Sequence, residues 1–161
     1  MYVPFEEMAK SSRIWIYQAN RPLSEDETRI TQEISRPFLD QWAAHGKPLK
    51  SSLKLVHQRF LIIAVDESYN EASGCSIDAS VSLIKKLETE FQIDFFDRTQ
   101  VLFLVNDQAF SRSLKDMKSL VESGTIEKKT LTFNNLVTNV EQLENSWMIP
   151  AADSWLKRFF K

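Results

Sequence analysis

Apolar residues recur along this chain in two rhythms, and the switches between them mark out strands and helices. Arg13–Asn20 (RIWIYQAN) is short and rich in β-branched and aromatic residues, which predicts a strand. Ser24 then precedes Glu27 at capping-box spacing, and Ile30, Ile34, Phe38 and Trp42 follow at helical intervals, so a helix is expected from about Ser24 to Ala43. Pro37 removes a backbone donor inside that helix and predicts a kink near Ile34. His45-Gly46-Lys47-Pro48 supplies a glycine-then-proline stop. Ser52 to Asp66 is strand-like for longer than one strand usually runs, which favours a hairpin around His57–Arg59. Those residues lack the Gly, Asn or Asp of a good turn, so a single bent strand is the alternative. Asp66–Ser76 is polar and loop-like. Ile77, Val81, Ile84, Leu87 and Phe91 mark a second amphipathic helix, and Gln100–Asn106 a further strand.

The order strand, helix, strand, strand, helix, strand is that of a ferredoxin-like βαββαβ core, at about residues 11–106. Ile14–Tyr17, Leu61–Val65 and Val101–Val105 hold apolar residues at consecutive positions, as strands covered on both faces do. The expected architecture is therefore α/β (α+β): a mixed sheet of about four to six strands with helices mainly on one face. An extension from about residue 107 to 161 covers the rest and completes a single domain. Within that extension the pattern predicts a short helix from about Ser113 to Ser123, a stop at Gly124, a strand near Thr130–Val137 and an aromatic tail.

Composition narrows the function classes. A net charge of −2 argues against a general nucleic-acid partner. Cys75 is the lone cysteine, which excludes an internal disulfide and suits a reducing, cytoplasmic setting. No apolar run approaches a membrane span, and Met1–Lys10 lacks the pattern of a signal peptide.

The segments RIWIYQANR, FLDQWAAHGKPLKSS, RFLIIAVDES, ASGCSID, IDFFDR, FNNLV and SWMIPAADSW, spread over nearly the whole chain, resemble a family of small bacterial proteins often labelled "ABC transporter ATPase". The residues do not supply the phosphate loop that this label implies. Such a loop needs G-x-x-x-x-G-K-[ST], whereas Gln41 stands in place of the first glycine and Pro48 in place of the hydroxyl residue after Gly46-Lys47. A more local stretch, Ser113–Trp147, is similar to GYF-type adaptor modules in its leucines before Ser123-Gly124, its Thr130-Leu131 and its late Trp-x-x-Pro-Ala. Here the spacing from strand to tryptophan is longer.

Asp66, Ser73, Gly74, Cys75, Ser76 and Asp78 form the candidate ligand site. They precede a helix whose first amides and dipole favour anions and thiolates. The bland alternative has Ser76 as N-cap and Cys75 as a small packed hydrophobe. A cysteine nucleophile would need His45 or His57 as base; on the ferredoxin-like topology His45 falls at the opposite end of the sheet, and His57 shares a strand face with Leu53 and Leu55. The pattern holds no spaced metal-ligand cluster and implies no cofactor. Lys47, Lys50, Lys54 and Arg59 form a basic strip in a stretch without Asp or Glu. With Trp15 and Tyr17 on a neighbouring strand, they offer an alternative reading as a single-stranded nucleic-acid binder. The tail SWLKRFFK places Trp155, Leu156, Phe159 and Phe160 on one side of a helical turn and Lys157, Arg158 and Lys161 on the other. Such a face docks at home, touches a membrane or a partner, or favours a homodimer. These features favour a binding or regulatory module over an enzyme.

Overall fold

The computed structural model describes all residues from Met1 to Lys161. It is a mixed α and β fold, and the chain divides into two compact units. Unit 1 comprises Met1–Phe96 with Thr138–Glu141, and unit 2 comprises Asp97–Val137 with Gln142–Lys161.

Unit 1 is a three-stranded antiparallel sheet with two helices. Strands β1 (Arg13–Gln18), β4 (Ser51–Val56) and β5 (Phe60–Val65) are ordered β1-β5-β4, with Ile63 of β5 opposite both Trp15 and Leu53. All of β5 is buried, as its unbroken apolar run requires. Leu61, Ile63 and Val65 join one core with Leu39, Trp42, Ile84, Leu87 and Phe91, contributed by or beside helices α1 (Glu25–Gln41) and α2 (Gly74–Phe91). Within unit 1 both helices thus share one face of the sheet, as expected.

Helix α1 begins with the anticipated capping box: Ser24 Oγ accepts from Glu27 N–H at 3.1 Å, and a Glu27 carboxylate oxygen accepts from Ser24 N–H at 3.0 Å. Pro37 lies inside the helix without ending it. The helix stops at Gln41, ahead of the glycine-proline signal, because the next residues pair with one another. Short strands β2 (Ala43–Ala44) and β3 (Lys47–Pro48) form a hairpin whose turn, His45 (φ 51) and Gly46 (φ 77), has both central residues left-handed. His45-Gly46 is therefore a turn and not a helix terminus.

The hairpin around His57–Arg59 forms despite its unpromising turn residues. His57 (φ 53) and Gln58 (φ 58) are both left-handed, and Arg59 N–H donates to Val56 C=O at 3.1 Å, a type I′ turn with Arg59 as an extra residue. Other backbone groups hold it closed: Leu23 N–H donates to Gln58 C=O and Ala19 N–H to Arg59 C=O, each at 2.7 Å. Tertiary hydrogen bonds override the poor local propensity.

The expected four-stranded ferredoxin-like sheet does not form. Strand β6 (Gln100–Val105) leaves unit 1 and pairs antiparallel with β7 (Gln108–Ser113) across the two-residue turn Asn106 (φ 51)–Asp107 (φ 60). Asn-Asp suits a type I′ turn, so a local hairpin closes where a long-range pairing had been expected. The single mixed sheet is replaced by separate antiparallel ones.

Unit 2 is a four-stranded sheet ordered β7-β6-β8-β9, with β8 at Leu131–Phe133 and β9 at Met148–Pro150. Thr132 is buried in β8 and donates its hydroxyl to Leu102 C=O at 2.8 Å. The expected Ser113–Ser123 helix is a 3-10 turn, Leu114–Asp116, leading into helix α3 (Met117–Glu122). Gly124 (φ 79) ends it with N–H on Val121 C=O. Helix α4 (Val140–Ser146) begins in unit 1 and ends in unit 2. Two further 3-10 turns, Ala151–Asp153 and Trp155–Phe159, bring Ala151 and Leu156 into a core with Phe103, Met117 and Ile126.

Candidate functional site

The segment from Asp66 to Asp78 is ordered by its own side chains. Asp66 is buried; one carboxylate oxygen accepts from Ser68 N–H at 3.1 Å and from the Ser68 hydroxyl, and the other lies 3.7 Å from Lys50 Nζ. Glu67 accepts from Ala72 N–H at 3.1 Å, and the Asn70 amide donates to Pro48 C=O at 2.7 Å. Ser73, and not Ser76, is the N-cap of α2: its hydroxyl accepts from Ser76 N–H at 3.1 Å, while Ser76 Oγ accepts from Ser73 N–H at 2.7 Å. Gly74 and Cys75 occupy the first two helical positions. Cys75 is exposed and so is not the packed hydrophobe of the bland reading; Asp78, also exposed, lies one turn further on. Gly74 has no left-handed φ, and a Cβ there would meet open space, so local geometry alone does not demand glycine.

The hairpin that carries His45 follows directly on a residue bonded to the first turn of α2. Trp42 Nε1 donates to Ser76 C=O at 2.9 Å, which brings the β2–β3 hairpin beside the start of α2. His57 falls in the β4–β5 turn and not on the strand face of Leu53 and Leu55.

The basic strip does not assemble into one surface. Lys47 is exposed on β3, Lys50 faces Asp66, and Lys54 Nζ lies 5.3 Å from the Phe5 ring centre. Arg59 is 4% exposed; its Nε donates to Ala19 C=O at 3.2 Å, and one Nη has no partner. Burial without a carboxylate lowers its pKa. Tyr17 is buried edge-on to Phe96, and Trp15 is half-buried under the Arg13 guanidinium, so neither offers the open ring that a stacked base needs.

Two concavities stand out, one in each unit. In unit 1 a wide, open depression of about 690 Å³ is lined by Lys85, Glu88, Thr89, Ile93, Asp94 and Phe96. Glu88 accepts from Phe95 N–H at 2.7 Å. Burial, with Asp94 beside it, pushes its pKa above the usual carboxylate value, and its geometry is that of a clasp on the loop after α2.

In unit 2 the C-terminal turn packs against α3 and leaves a more enclosed groove of about 490 Å³. Its floor is Val121, Phe159 and Phe160, half-buried and seated on the unit 2 core. Its rim carries the exposed cations Lys118, Lys128, Arg158 and Lys161. One acidic side chain, Glu122, lines it too, 4.0 Å from Lys118 Nζ. The Arg158 guanidinium lies 4.8 Å from the Phe159 ring centre and 5.7 Å from that of Trp155. The tail had been singled out from the sequence. Lys118, Val121 and Lys128 had not, because their convergence depends on the fold of unit 2.

The chain is thus a mixed α and β protein with a basic, aromatic-floored groove in one unit. It is similar to UvrABC system protein C of Campylobacter jejuni subsp. doylei, with 30% identity over 144 residues. The match takes in 88% of this chain and 22% of that protein, so the chain spans about a fifth of the relative's length. No family model and no solved structure matches the chain. No helix is long and apolar enough to cross a membrane.

Proposed function

We propose that this chain is a binding module whose capture surface is the unit 2 groove, and that it holds an anionic partner there. The observation that carries this reading is the convergence of Lys118, Lys128, Arg158 and Lys161 on one groove in a chain of net charge −2. Like charges brought together on an apolar floor raise the local potential and draw in an anion. They also cost self-repulsion that an anionic occupant would relieve. Similarity to part of a protein named as one component of a system fits a module that works within an assembly. A cytoplasmic setting belongs to the same reading.

Backbone amide shifts in the ¹⁵N-labelled chain, followed while inorganic pyrophosphate is added, test it. Shifts are expected at Val121, Lys128 and Arg158–Lys161, weakening as salt rises and absent in Lys128→Glu/Arg158→Glu. Shifts confined to Gly74 and Cys75 would overturn the groove and move binding to the start of α2, the site expected from the sequence. No response at either place, to pyrophosphate or to an acidic peptide, would overturn anion capture altogether.

A further inference from the structure

The groove's lining also specifies what kind of anion fits. We propose that its occupant is an acidic peptide segment carrying a large apolar side chain, an inference that rests on the groove being the capture surface. The floor is apolar and fixed: Val121, Phe159 and Phe160 each pack on the unit 2 core from below. A small inorganic anion would leave this floor unsatisfied, whereas an apolar side chain flanked by carboxylates covers both floor and rim. The volume of about 490 Å³ lies within the ~300–1,000 Å³ of small-ligand pockets, suited to about one or two side chains.

A single-stranded nucleic acid would use the same charges but needs successive open ring faces. Phe159 is already engaged, with the Arg158 guanidinium 4.8 Å from its centre and Trp155 edge-on at 6.2 Å. Among the rings on the floor that leaves Phe160, one platform where a strand needs several. Glu122 lies 4.0 Å from Lys118 Nζ, so a peptide carboxylate would have to compete with it there, and Lys128, Arg158 and Lys161 are the cations left to the ligand.

Fluorescence anisotropy with a labelled octapeptide, Asp-Glu-Asp-Phe-Leu-Asp-Glu-Asp, tests the proposal against two probes of equal length. One replaces Phe-Leu by Ser-Ser; the other is an oligothymidylate. The first peptide is expected to bind most tightly. Lys128→Glu/Arg158→Glu should weaken it by about tenfold or more, and Phe160→Ser by about tenfold. The far-ultraviolet spectrum of each variant is checked against the parent; should Phe160→Ser unfold, the Ser-Ser probe still reports on the floor. Equal binding of the two peptides would overturn the apolar requirement while leaving anion capture standing. Tighter binding of the oligothymidylate would overturn the peptide and assign a nucleic acid. Pyrophosphate shifts at the groove with no peptide binding would overturn this inference alone, and loss of both responses would overturn the proposed function with it.

Discussion

Arg21 ties together three separate parts of unit 1, and loss of its ion pair with Glu27 should be felt in a pH-dependent way. Its guanidinium donates to both Glu27 carboxylate oxygens at 2.8 Å and to Phe91 C=O, at the end of α2, at 2.7 Å. Glu27 is also the capping-box residue of α1, so one carboxylate anchors a helix start and a guanidinium at once. The pair holds Glu27 at a pKa of about 2, against an ordinary value of 4.5, chiefly through the Arg21 hydrogen bonds. At about 1.4 kcal/mol per pH unit that difference is worth at most about 3 kcal/mol. The Arg21 side chain is 41% exposed and Glu27 18%, so solvent screening reduces the expectation to ~1–2 kcal/mol. Glu27→Gln keeps an oxygen for Ser24 N–H and removes the charge, which isolates this contribution. Because the folded-state pKa is depressed, the stabilisation is fully present above pH 4.5 and is lost as the pH falls toward 2. Urea denaturation of wild type and Glu27→Gln, followed from pH 7 downward, should give a gap of ~1–2 kcal/mol at neutral pH that closes near pH 2. A gap that stays constant over that range, or one below about 0.5 kcal/mol at pH 7, would refute the reasoning.

The other predictions concern single buried or strained groups. Gln58→Gly should stabilise by about 0.5–1 kcal/mol, because Gln58 stands at φ 58 in a type I′ turn, whereas Gln58→Val should destabilise; thermal melts decide both signs. Trp42→Phe removes the Nε1 donor from buried Ser76 C=O and should cost about 1–3 kcal/mol in chemical denaturation, with faster amide exchange at the start of α2. Arg59→Met should change stability by less than about 1 kcal/mol, since it trades a buried cation lacking a carboxylate for a similar apolar volume. Arg59→Ala, which leaves a cavity, should cost more, and equal losses in the two variants would contradict this account.

What the sequence disclosed follows from how local each signal is. The capping box at Ser24–Glu27, the apolar run of β5 and the helical spacing from Ile77 to Phe91 are properties of a few neighbouring residues, and all appear in the structure. Where β6 would pair depended on a competition between a distant partner and the turn at Asn106-Asp107, and its outcome set the sheet organisation. Helix α4 and strands β7 and β9 are too short or too polar to announce themselves by periodicity. The segment from Ser73 to Asp78 was expected ahead of the helix with Ser76 as its cap; α2 instead starts three residues earlier, and Ser73 and Ser76 are spent on capping one another. The basic strip failed as a surface because charge along a chain says nothing of direction: Arg59 points inward while Lys47 points out. The groove lay beyond sequence reasoning, since it joins residues some forty positions apart, from Lys118 to Lys161.

The uniform burial of β5 bears on how the chain tells a correct alignment from an incorrect one. Slipping a strand by one position ordinarily exposes its apolar side and is penalised at once. In β5 the exchange of Leu61, Ile63 and Val65 for Phe60, Ile62 and Ala64 would trade one greasy face for another, so the strand carries little error detection of its own. That task falls to its two ends. At one, Gln58 and Arg59 accept from Leu23 and Ala19; at the other, Asp66 N–H donates to Lys50 C=O. The polar residues that bracket β5 keep count for the whole sheet.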